Sequence, residues 1–388
     1  MGLPYPFNTF LFRPDAVFSD FLYPYLGNVN LNPYFSGVPS LRSSYYPFTN
    51  IIFYLFSYLP QPHIIMILCF VLAFVYFNRI NLKSEDKIEY FSNVFILSFL
   101  TYPFLFLIDR GNIEMVVFIF LAVFILLFKR EKFFAASIFL TLAIAMKAYP
   151  IAFIVLFLDK KRYKNALGIL FSVAVLEFVS LLFHQGGLAA NLNHVLSGFN
   201  IRNDRLPYIG SIIYGNNIFL QRGVSLYTLV KLILIEQNQI MNIDMAELVR
   251  IYNIIMGVLF TILSAYILLI EKEFWKKVML LVIAMLLFPY ISCDYKLILL
   301  FLPLFLFINS TKVQKSDLFY VIMFSLLLIP KDYFFFKWIY SDSLFHDISI
   351  AVPMNILILL GLLLRIMAEG MEIWFNDSVR GRKETCKN

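Results

Sequence analysis

The sequence predicts an all-α, polytopic transmembrane helix bundle with about 10–11 membrane helices, short broken ones included. Three observations predict this class. Of the 388 residues, 61% are hydrophobic and only 15% are charged, and the mean hydropathy is +0.78. Apolar runs of nearly the length that a spanning helix needs, about 20 residues, recur along the chain. A chain this apolar has too little polar surface to cover a water-soluble globule.

The apolar runs define the predicted helices in order. The clear runs are 62–78, 91–108, 112–128, 163–184, 251–270 and 349–368, with a shorter one at 317–330 and partial helices at 48–59 and 224–235. Two longer runs, 133–158 and 278–308, are interrupted by polar residues around Lys147 and around Asp294. Because a charged side chain is costly at mid-bilayer, we expect each interrupted run to form a hairpin of two short helices.

The distribution of basic residues predicts the topology. Twenty of the 32 lysines and arginines fall in the short segments that are inside if the amino terminus is outside. This asymmetry follows the positive-inside rule, so the net charge of +7 reports topology, and we expect no nucleic-acid partner. Those inner segments are 79–90, 129–132, 159–164, 271–277, 309–316 and 365–388.

We expect one integral-membrane domain over residues 1–388. Its predicted parts are an outer loop with a partial helix (1–61), helical spans (62–184), a large outer loop (185–250), further spans (251–368) and a cytoplasmic tail (369–388). Since no hydrophobic span precedes the outer segment, we expect the chain as given to begin downstream of a first helix; the alternative is an amino-terminal tail that is translocated unaided.

Every polar interruption falls on the predicted outer face, which indicates a shared site there. Asp20 lies among aromatic residues and is a candidate general base, or else the cap of a helix that begins at Phe21. Arg110 has the forked guanidinium that suits phosphate oxygens; alternatively, residues 109–112 form a tight turn. Glu114, just inside the next helix, is expected to pair with Arg110 four residues earlier.

Two lysines in the interrupted runs are the other cation candidates. Lys147 either extends to the membrane interface or binds a phosphate, the natural partner of an intramembrane lysine. Asp294 and Lys296 form a local ion pair, form an outer-face cap, or line the same cavity as Lys147. Glu177 and His184 are interpreted as packing or interface residues.

Soluble-enzyme motifs are absent. The sequence has no GxGxxG, P-loop, HExxH, GxSxG or DxD motif, and its three cysteines form no CxxC pair. We therefore expect no metal and no cofactor. Aromatic residues interleaved with amides in the first segment suit sugar binding, since they offer flat apolar faces beside hydrogen bonds.

Several motifs in order resemble those of GT-C membrane glycosyltransferases. SDFLYPY (19–25), LNPY (31–34) and YYP (45–47) resemble the first outer loop of the family 87 type, which includes polyprenol-phosphate-mannose-dependent mannosyltransferases. DRGN (109–112) resembles the family's GQxN-like turn, AMKAYP (145–150) its K-x-YP break, RGVSLYTL (222–229) its NQS-type segment, and FPYISCDYKLILLFLPLF (288–305) its S-P-x-S-W-x-H-H pattern. The resemblance covers residues 15–308, and it departs from the family in lacking the GQ pair before Asn112 and the HH pair near Asp294.

The resemblance implies an inverting, metal-independent transfer of a mannose-like hexose from a polyprenyl-phosphate donor. The acceptor is a lipid or glycan, and the reaction takes place at the outer face of a bacterial inner membrane, among membrane lipids. Asp20 is the implied base, and Arg110, Lys147 and Lys296 hold the donor phosphate. The implied substrate-binding residues are Tyr23, Asn32, Tyr34, Tyr46, Asp109, Asn112, Tyr149, Arg222, Asp294 and Tyr295.

Two other functions fit a chain with many spans and a long outer loop. A surface-polysaccharide polymerase or ligase would favour paired arginines in the outer loops. A lipid-linked sugar transporter or flippase would favour internal repeats with matching broken helices. The two interrupted runs share no sequence similarity around their breaks.

Overall fold

A computed structural model describes most of the chain. The described residues are 18–29, 31–34, 43, 45–199, 223–236, 245–310, 317–329, 335–341, 344–349 and 351–385. Sixteen α-helices and two 3₁₀ helices account for nearly all of them.

The helices follow one another with short connections. They are α1 (Ser19–Asn28), α2 (Pro47–Phe56), α3 (Pro62–Asn81), α4 (Lys87–Phe99), α5 (Tyr102–Arg110), α6 (Glu114–Lys129), α7 (Phe133–Met146), a first 3₁₀ helix (Tyr149–Phe153), α8 (Ile154–Asp159), α9 (Tyr163–Phe183), α10 (Leu188–Phe199), α11 (Leu226–Glu236), α12 (Met245–Leu269), α13 (Phe274–Leu287), a second 3₁₀ helix (Asp294–Leu300), α14 (Phe301–Ile308), α15 (Asp317–Leu328) and α16 (Ala351–Thr385).

The predicted polytopic helix bundle is confirmed. Four helices within the described ranges are long and apolar enough to cross a membrane: Pro62–Asn81, Tyr163–Phe183, Glu247–Leu269 and Ala351–Asn376. Shorter apolar helices surround them, at Pro47–Phe56, Phe133–Met146, Tyr149–Asp159 and Asp317–Leu328. Predicted run 112–128 is α6, whose side chains lie mostly in the protein core.

The predicted continuous span 91–108 is a bent pair of helices. Helix α4 ends at Phe99, and α5 begins at Tyr102 after a 45° bend. Pro103 explains the break, because a proline in a continuous helix would remove a backbone hydrogen bond and clash with the carbonyl four residues earlier, that of Phe99.

Both interrupted runs fold back on themselves, as predicted. In the first, the rings of Phe133 and Phe157 lie 6.4 Å apart, which brings the start of α7 beside the end of α8. In the second, the rings of Trp275 and Phe307 lie 4.9 Å apart, which does the same for α13 and α14. The polar residues at each turn therefore sit at one end of the bundle, which we call the site end.

The opposite end gathers the segments that are rich in lysine and arginine. Lys277 on α13 forms an ion pair of 2.6 Å with Asp159 at the end of α8. Asn309, after α14, donates a 2.9 Å hydrogen bond to the Asn81 carbonyl at the end of α3. These contacts join two pairs of the segments that the charge distribution assigns to one face, and the Trp275–Phe307 contact connects the two pairs. We call this the basic end.

One element was not predicted. Residues Phe335–Ser341 and Leu344–Ser349 form an antiparallel two-stranded sheet between α15 and α16. The sequence analysis predicts no strand here, and its apolar runs leave a gap between 317–330 and 349–368. Helix α16 also continues to Thr385, through most of the predicted tail.

Gly111 sets how closely α1 approaches the end of α5. It has a φ of +61°, a left-handed conformation that glycine adopts without strain. A Cβ at this position would lie 3.2 Å from the Phe18 Cα and 3.2 Å from the Phe21 Cβ. The Phe18 amide donates a 2.8 Å hydrogen bond to the Asp109 carbonyl beside it, so the chain is anchored at this turn two residues before Asp20.

We expect Gly111→Ala to destabilise the protein by about 1–2 kcal/mol, because alanine would be strained in the left-handed region and crowded by backbone. Thermal unfolding of the purified protein in detergent would measure this. Gly168→Ala in α9 is the matched control, since no atom lies within 4 Å of the added Cβ and alanine favours a helix. Equal melting temperatures for the two variants would contradict the prediction.

Candidate active site

Asp20 lies in the first turn of α1, and two residues of the α5–α6 turn bind its carboxylate. Arg110 donates a hydrogen bond from Nη2 to Oδ1 over 2.5 Å, and Asn112 donates from Nδ2 to Oδ2 over 2.8 Å. No side chain caps α1, so the alternative in which Asp20 is a helix cap is not observed. The Asp20 side chain is 22% exposed, and each oxygen keeps a second lone pair.

Packing of α1 on α2 fixes the position of Asp20. The neighbouring Phe21 is fully buried, and its ring meets those of Phe53 and Phe56 at 5.8 and 5.3 Å. Edge and tilted ring contacts of this kind prefer definite geometries. The carboxylate is therefore presented by an anchored helix.

The orientation of the Asn112 amide follows from its other partners. Its Oδ1 accepts hydrogen bonds from the Glu114 backbone N–H at 3.0 Å and from the Lys147 ammonium at 3.2 Å. Two donors on one atom identify that atom as the oxygen. The amide nitrogen must then face Asp20, and Asn112 acts as a donor to the carboxylate.

Lys147 and Glu114 form a buried ion pair. Lys147 Nζ lies 2.6 Å from Glu114 Oε2, and the two side chains are 14% and 0% exposed. Lys147 follows the last residue of α7 in an extended conformation, which turns its side chain back toward the start of α6. The predicted pairing of Glu114 with Arg110 was wrong: Glu114 pairs with Lys147, and Arg110 pairs with Asp20.

The two polar breaks contact each other reciprocally. The Lys147 ammonium lies 5.2 Å from the centre of the Tyr295 ring, and the Lys296 ammonium lies 4.5 Å from the centre of the Tyr149 ring. Both distances are within the range of cation–π attraction. The hairpins thus bring together the two lysines that the sequence analysis assigned to the donor phosphate and two tyrosines that it assigned to substrate binding.

Lys296 differs from the other two cations of the site. It is 6% exposed, and its ammonium donates a 3.3 Å hydrogen bond to the Ile291 carbonyl. Among the described residues, no carboxylate lies within ion-pair distance of Lys296. The predicted local ion pair with Asp294 is not formed, since Asp294 accepts a 2.7 Å hydrogen bond from the Tyr102 hydroxyl.

Several predicted substrate-binding residues are buried around this cluster. Asp294 is fully buried, and Asp109 and Asn112 are each 2% exposed. Asn112 binds the Asp20 carboxylate, and Asp294 binds the Tyr102 hydroxyl. Tyr149 and Tyr295 are half-buried, and Tyr23 is 54% exposed on the outer surface of α1.

A second polar network holds the chain between α1 and α2. Buried Asn50 donates hydrogen bonds to the Tyr34 hydroxyl (3.0 Å) and the Tyr45 carbonyl (3.2 Å), and it accepts from Ser43 (2.6 Å) and Asn28 (3.2 Å). The sequence analysis identified Tyr34 as a site residue but missed Asn28, Ser43 and Asn50.

The same network connects to the first polar break and to the residues around Tyr46. Thr49 donates a 2.7 Å hydrogen bond to the Met146 carbonyl at the end of α7. Glu177 accepts the Phe48 backbone N–H at 3.1 Å, which supports its interpretation as a packing residue. Burial, followed by the Glu177 carboxylate, raises the pKa of the Tyr46 hydroxyl, so Tyr46 is neutral at pH 7.

His184 and Asn32 complete this side of the site. The His184 Nε2 lies 3.1 Å from the Pro47 carbonyl, and burial lowers the pKa of its ring, which favours the neutral form. Asn32 is half-buried beside it in the chain that follows α1, where the Leu31 carbonyl accepts the Gln185 N–H.

Part of the predicted large outer loop (185–250), beginning at Gly223, reaches the second break. Gly223 pairs with Cys293 as an antiparallel bridge, and the Val224 N–H donates a 2.9 Å hydrogen bond to the Ser292 carbonyl. Arg222, a predicted substrate-binding residue, lies outside the described residues. Within the described part of the chain, no group of three or more histidine, cysteine or acidic residues is arranged to hold a metal ion.

The bundle and its cluster define an integral membrane protein with a compact charged site at one end. Residues 44–293, nearly two-thirds of the chain, match the family model described as glycosyltransferase family 87. The chain belongs to this family and is a glycosyltransferase. No curated protein matches its sequence. The matched range includes Arg110, Asn112, Glu114 and Lys147, whereas Asp20 and Lys296 lie outside it.

Proposed function

We propose that this glycosyltransferase moves a mannose-like hexose from a polyprenyl-phosphate donor to a hydroxyl of a lipid or glycan acceptor. The observation that carries the proposal is the connected network of Asp20, Arg110, Asn112, Lys147 and Glu114 at the site end. It places an anchored carboxylate beside cations, and the second break adds Lys296. When a sugar is transferred from a phosphate leaving group, the enzyme needs two parts: a base for the acceptor and a group that binds the phosphate.

The proposed chemistry is a single displacement with inversion. Asp20 accepts the proton of the acceptor hydroxyl as its oxygen attacks the anomeric carbon of the sugar. The bond between that carbon and the phosphate oxygen breaks, and the electron pair leaves with polyprenyl phosphate. The leaving phosphate needs no proton, so one carboxylate suffices, whereas a glycosidase needs two.

Lys296 is the proposed primary contact of the donor phosphate. Arg110 and Lys147 already face carboxylates, whereas the described contacts of Lys296 are a carbonyl and the Tyr149 ring. A buried cation without an anionic partner is costly, and a phosphate would supply one. Arg110 and Lys147 then complete the anion site from its other sides, so that protein cations offset the leaving-group charge without a metal ion.

The other predicted residues are proposed to bind the sugar and the acceptor. Tyr149 and Tyr295, which border the two lysines, are assigned to the sugar, and Tyr23 and Tyr46 to the acceptor. Tyr34, Asn112, Asp294, Asp109 and Asn32 are assigned to the frame that shapes the site. Arg222 stays a proposed substrate-binding residue on the strength of its motif alone, and the next residue along the chain, Gly223, pairs with Cys293.

We further propose that the site end faces the exterior of a bacterial inner membrane and that the carboxyl terminus is cytoplasmic. The support is the gathering of basic segments at the opposite end, which the positive-inside rule assigns to the cytoplasm. The donor then enters laterally from the bilayer. Family membership favours a transferase over the polymerase and flippase alternatives.

Purified protein incubated with radiolabelled polyprenyl-phosphate hexoses and a membrane lipid extract should form a labelled product. We expect mannose to be the preferred sugar and activity to persist in EDTA. An anomeric configuration retained from the donor, or transfer only from a nucleotide sugar, would overturn the proposal. Movement of labelled donor across a vesicle bilayer without transfer would instead identify a flippase.

A further inference from the structure

Glu114 is a buried carboxylate whose charge the proposed reaction does not use. Its side chain has no exposed area, and one oxygen, Oε2, pairs with Lys147 at 2.6 Å. Its other oxygen, Oε1, is buried and accepts no hydrogen bond from the described residues. A buried charge is costly even when it is paired, and a neutral glutamine could also accept a hydrogen bond from Lys147. Hydrogen bonding alone therefore does not account for a glutamate here.

The negative charge of Glu114 lowers the net positive charge of the site. Asp20 offsets Arg110, and Glu114 offsets Lys147, while Lys296 has no carboxylate partner among the described residues. These five groups alone carry one surplus positive charge, and the buried side chains of Asp109 and Asp294 lie nearby. Whatever charge those two contribute, loss of the Glu114 carboxylate makes the site one unit more positive.

The surplus matters because the lipid changes charge during transfer. The donor is a phosphodiester with a single negative charge, whereas the product is a phosphomonoester, which carries about −1.5 to −2 near pH 7. Cations fixed in a buried site therefore attract the product more strongly than the donor. A site with a large positive surplus would retain the product, and product release often limits turnover.

We propose that Glu114 is a counter-ion that weakens the hold of the site on the product phosphate and so speeds its release. This inference rests on the proposed function, in which the product is polyprenyl phosphate. Glu114 does not touch the substrate in this arrangement. It acts through Lys147, whose charge it offsets.

The test is the inhibition constant of added polyprenyl phosphate in Glu114→Gln compared with the natural protein. Glutamine keeps an oxygen for Lys147 and removes only the charge. We expect the inhibition constant to fall by about tenfold or more, since one unit charge acts at close range in a poorly screened site. We also expect kcat to fall while the KM for the donor does not rise.

Glu271→Gln is the matched control. Glu271 is also a buried carboxylate, 6% exposed, but it lies after α12, where it accepts hydrogen bonds from the backbone N–H groups of Lys272 and Glu273 and from the Tyr266 hydroxyl. For Glu271→Gln, the inhibition constant of polyprenyl phosphate should equal that of the natural protein. If Glu114→Gln had an unchanged or raised inhibition constant together with a raised KM for the donor, the inference would be overturned, and Glu114 would serve to position Lys147.

A second pair of variants keeps the test valid if Glu114→Gln does not fold. Lys147→Met should bind polyprenyl phosphate more weakly, because it leaves the Glu114 carboxylate unopposed. Adding Glu114→Gln to Lys147→Met should restore much of that binding, and no restoration would overturn the inference. If the natural protein neither binds polyprenyl phosphate nor transfers sugar, the proposed function fails first, and the two failures are distinguishable.

Discussion

Asp20→Asn should lower the rate of sugar transfer by about 10²–10⁴-fold, the usual contribution of a general base. The amide has nearly the same shape as the carboxylate but cannot take the acceptor's proton at neutral pH. Its oxygen can face either Arg110 or Asn112, so one of the two hydrogen bonds to Asp20 is lost. The single-turnover rate with bound donor would measure the chemical step without interference from product release.

The control for this substitution is Asp86→Asn. Asp86 is an exposed cap of α4 whose Oδ1 accepts the Ile88 N–H, and asparagine caps helices about as well as aspartate. It makes the same chemical change outside the site, and we expect full activity. A folded Asp20→Asn protein that transfers sugar at the natural rate would remove Asp20 from the role of base.

Much of the site could be predicted because charged residues are rare in this chain. Asp20, Arg110 and Lys147 stand out from apolar surroundings, and each is too costly to bury without a reason. The sequence also indicates that the breaks lie at one end, since a hairpin is the cheapest way to keep a lysine out of the bilayer centre. What it does not indicate is which charges pair.

The mistaken pairing of Glu114 illustrates the limit. The i,i+4 rule assumes that Arg110 and Glu114 share one helix. The left-handed conformation of Gly111 ends α5, and Glu114 begins α6, so the two side chains leave different helices. Glu114 then meets Lys147 at the far end of α7, a contact that depends on how two helices pack.

The neutral network around Asn50 was missed for a different reason. Asn28, Ser43 and Asn50 carry no charge, and their types are common in turns. Their burial becomes visible only when α1, α2 and the chain between them are assembled. By contrast, the bend before α5 had a sequence signal in Pro103, which the apolar character of residues 91–108 outweighed.

Lys296→Gln should lower kcat/KM for the polyprenyl-phosphate donor by about 10²–10³-fold, the range seen when one group that stabilises a developing negative charge is removed. The physical reason is that Lys296 is the cation of the site with no described carboxylate partner. Glutamine can still donate to the Ile291 carbonyl, so the local fold should persist. Steady-state kinetics over a range of donor concentrations would measure the effect.

Lys277→Gln is the matched control, because Lys277 is equally buried, at 7% exposure, but is paired with Asp159 at the basic end. Lys277→Gln should change stability and leave activity unchanged, whereas Lys296→Gln should change activity without a loss of stability. Removing Lys277 leaves the half-buried Asp159 carboxylate without this partner and should lower the melting temperature while donor kinetics stay unchanged. Removing Lys296 eliminates an uncompensated charge and should leave the melting temperature equal or higher. If Lys296→Gln lost stability and kept its kcat/KM, Lys296 would be a structural residue, and the phosphate site would have to be built from Arg110 and Lys147 alone.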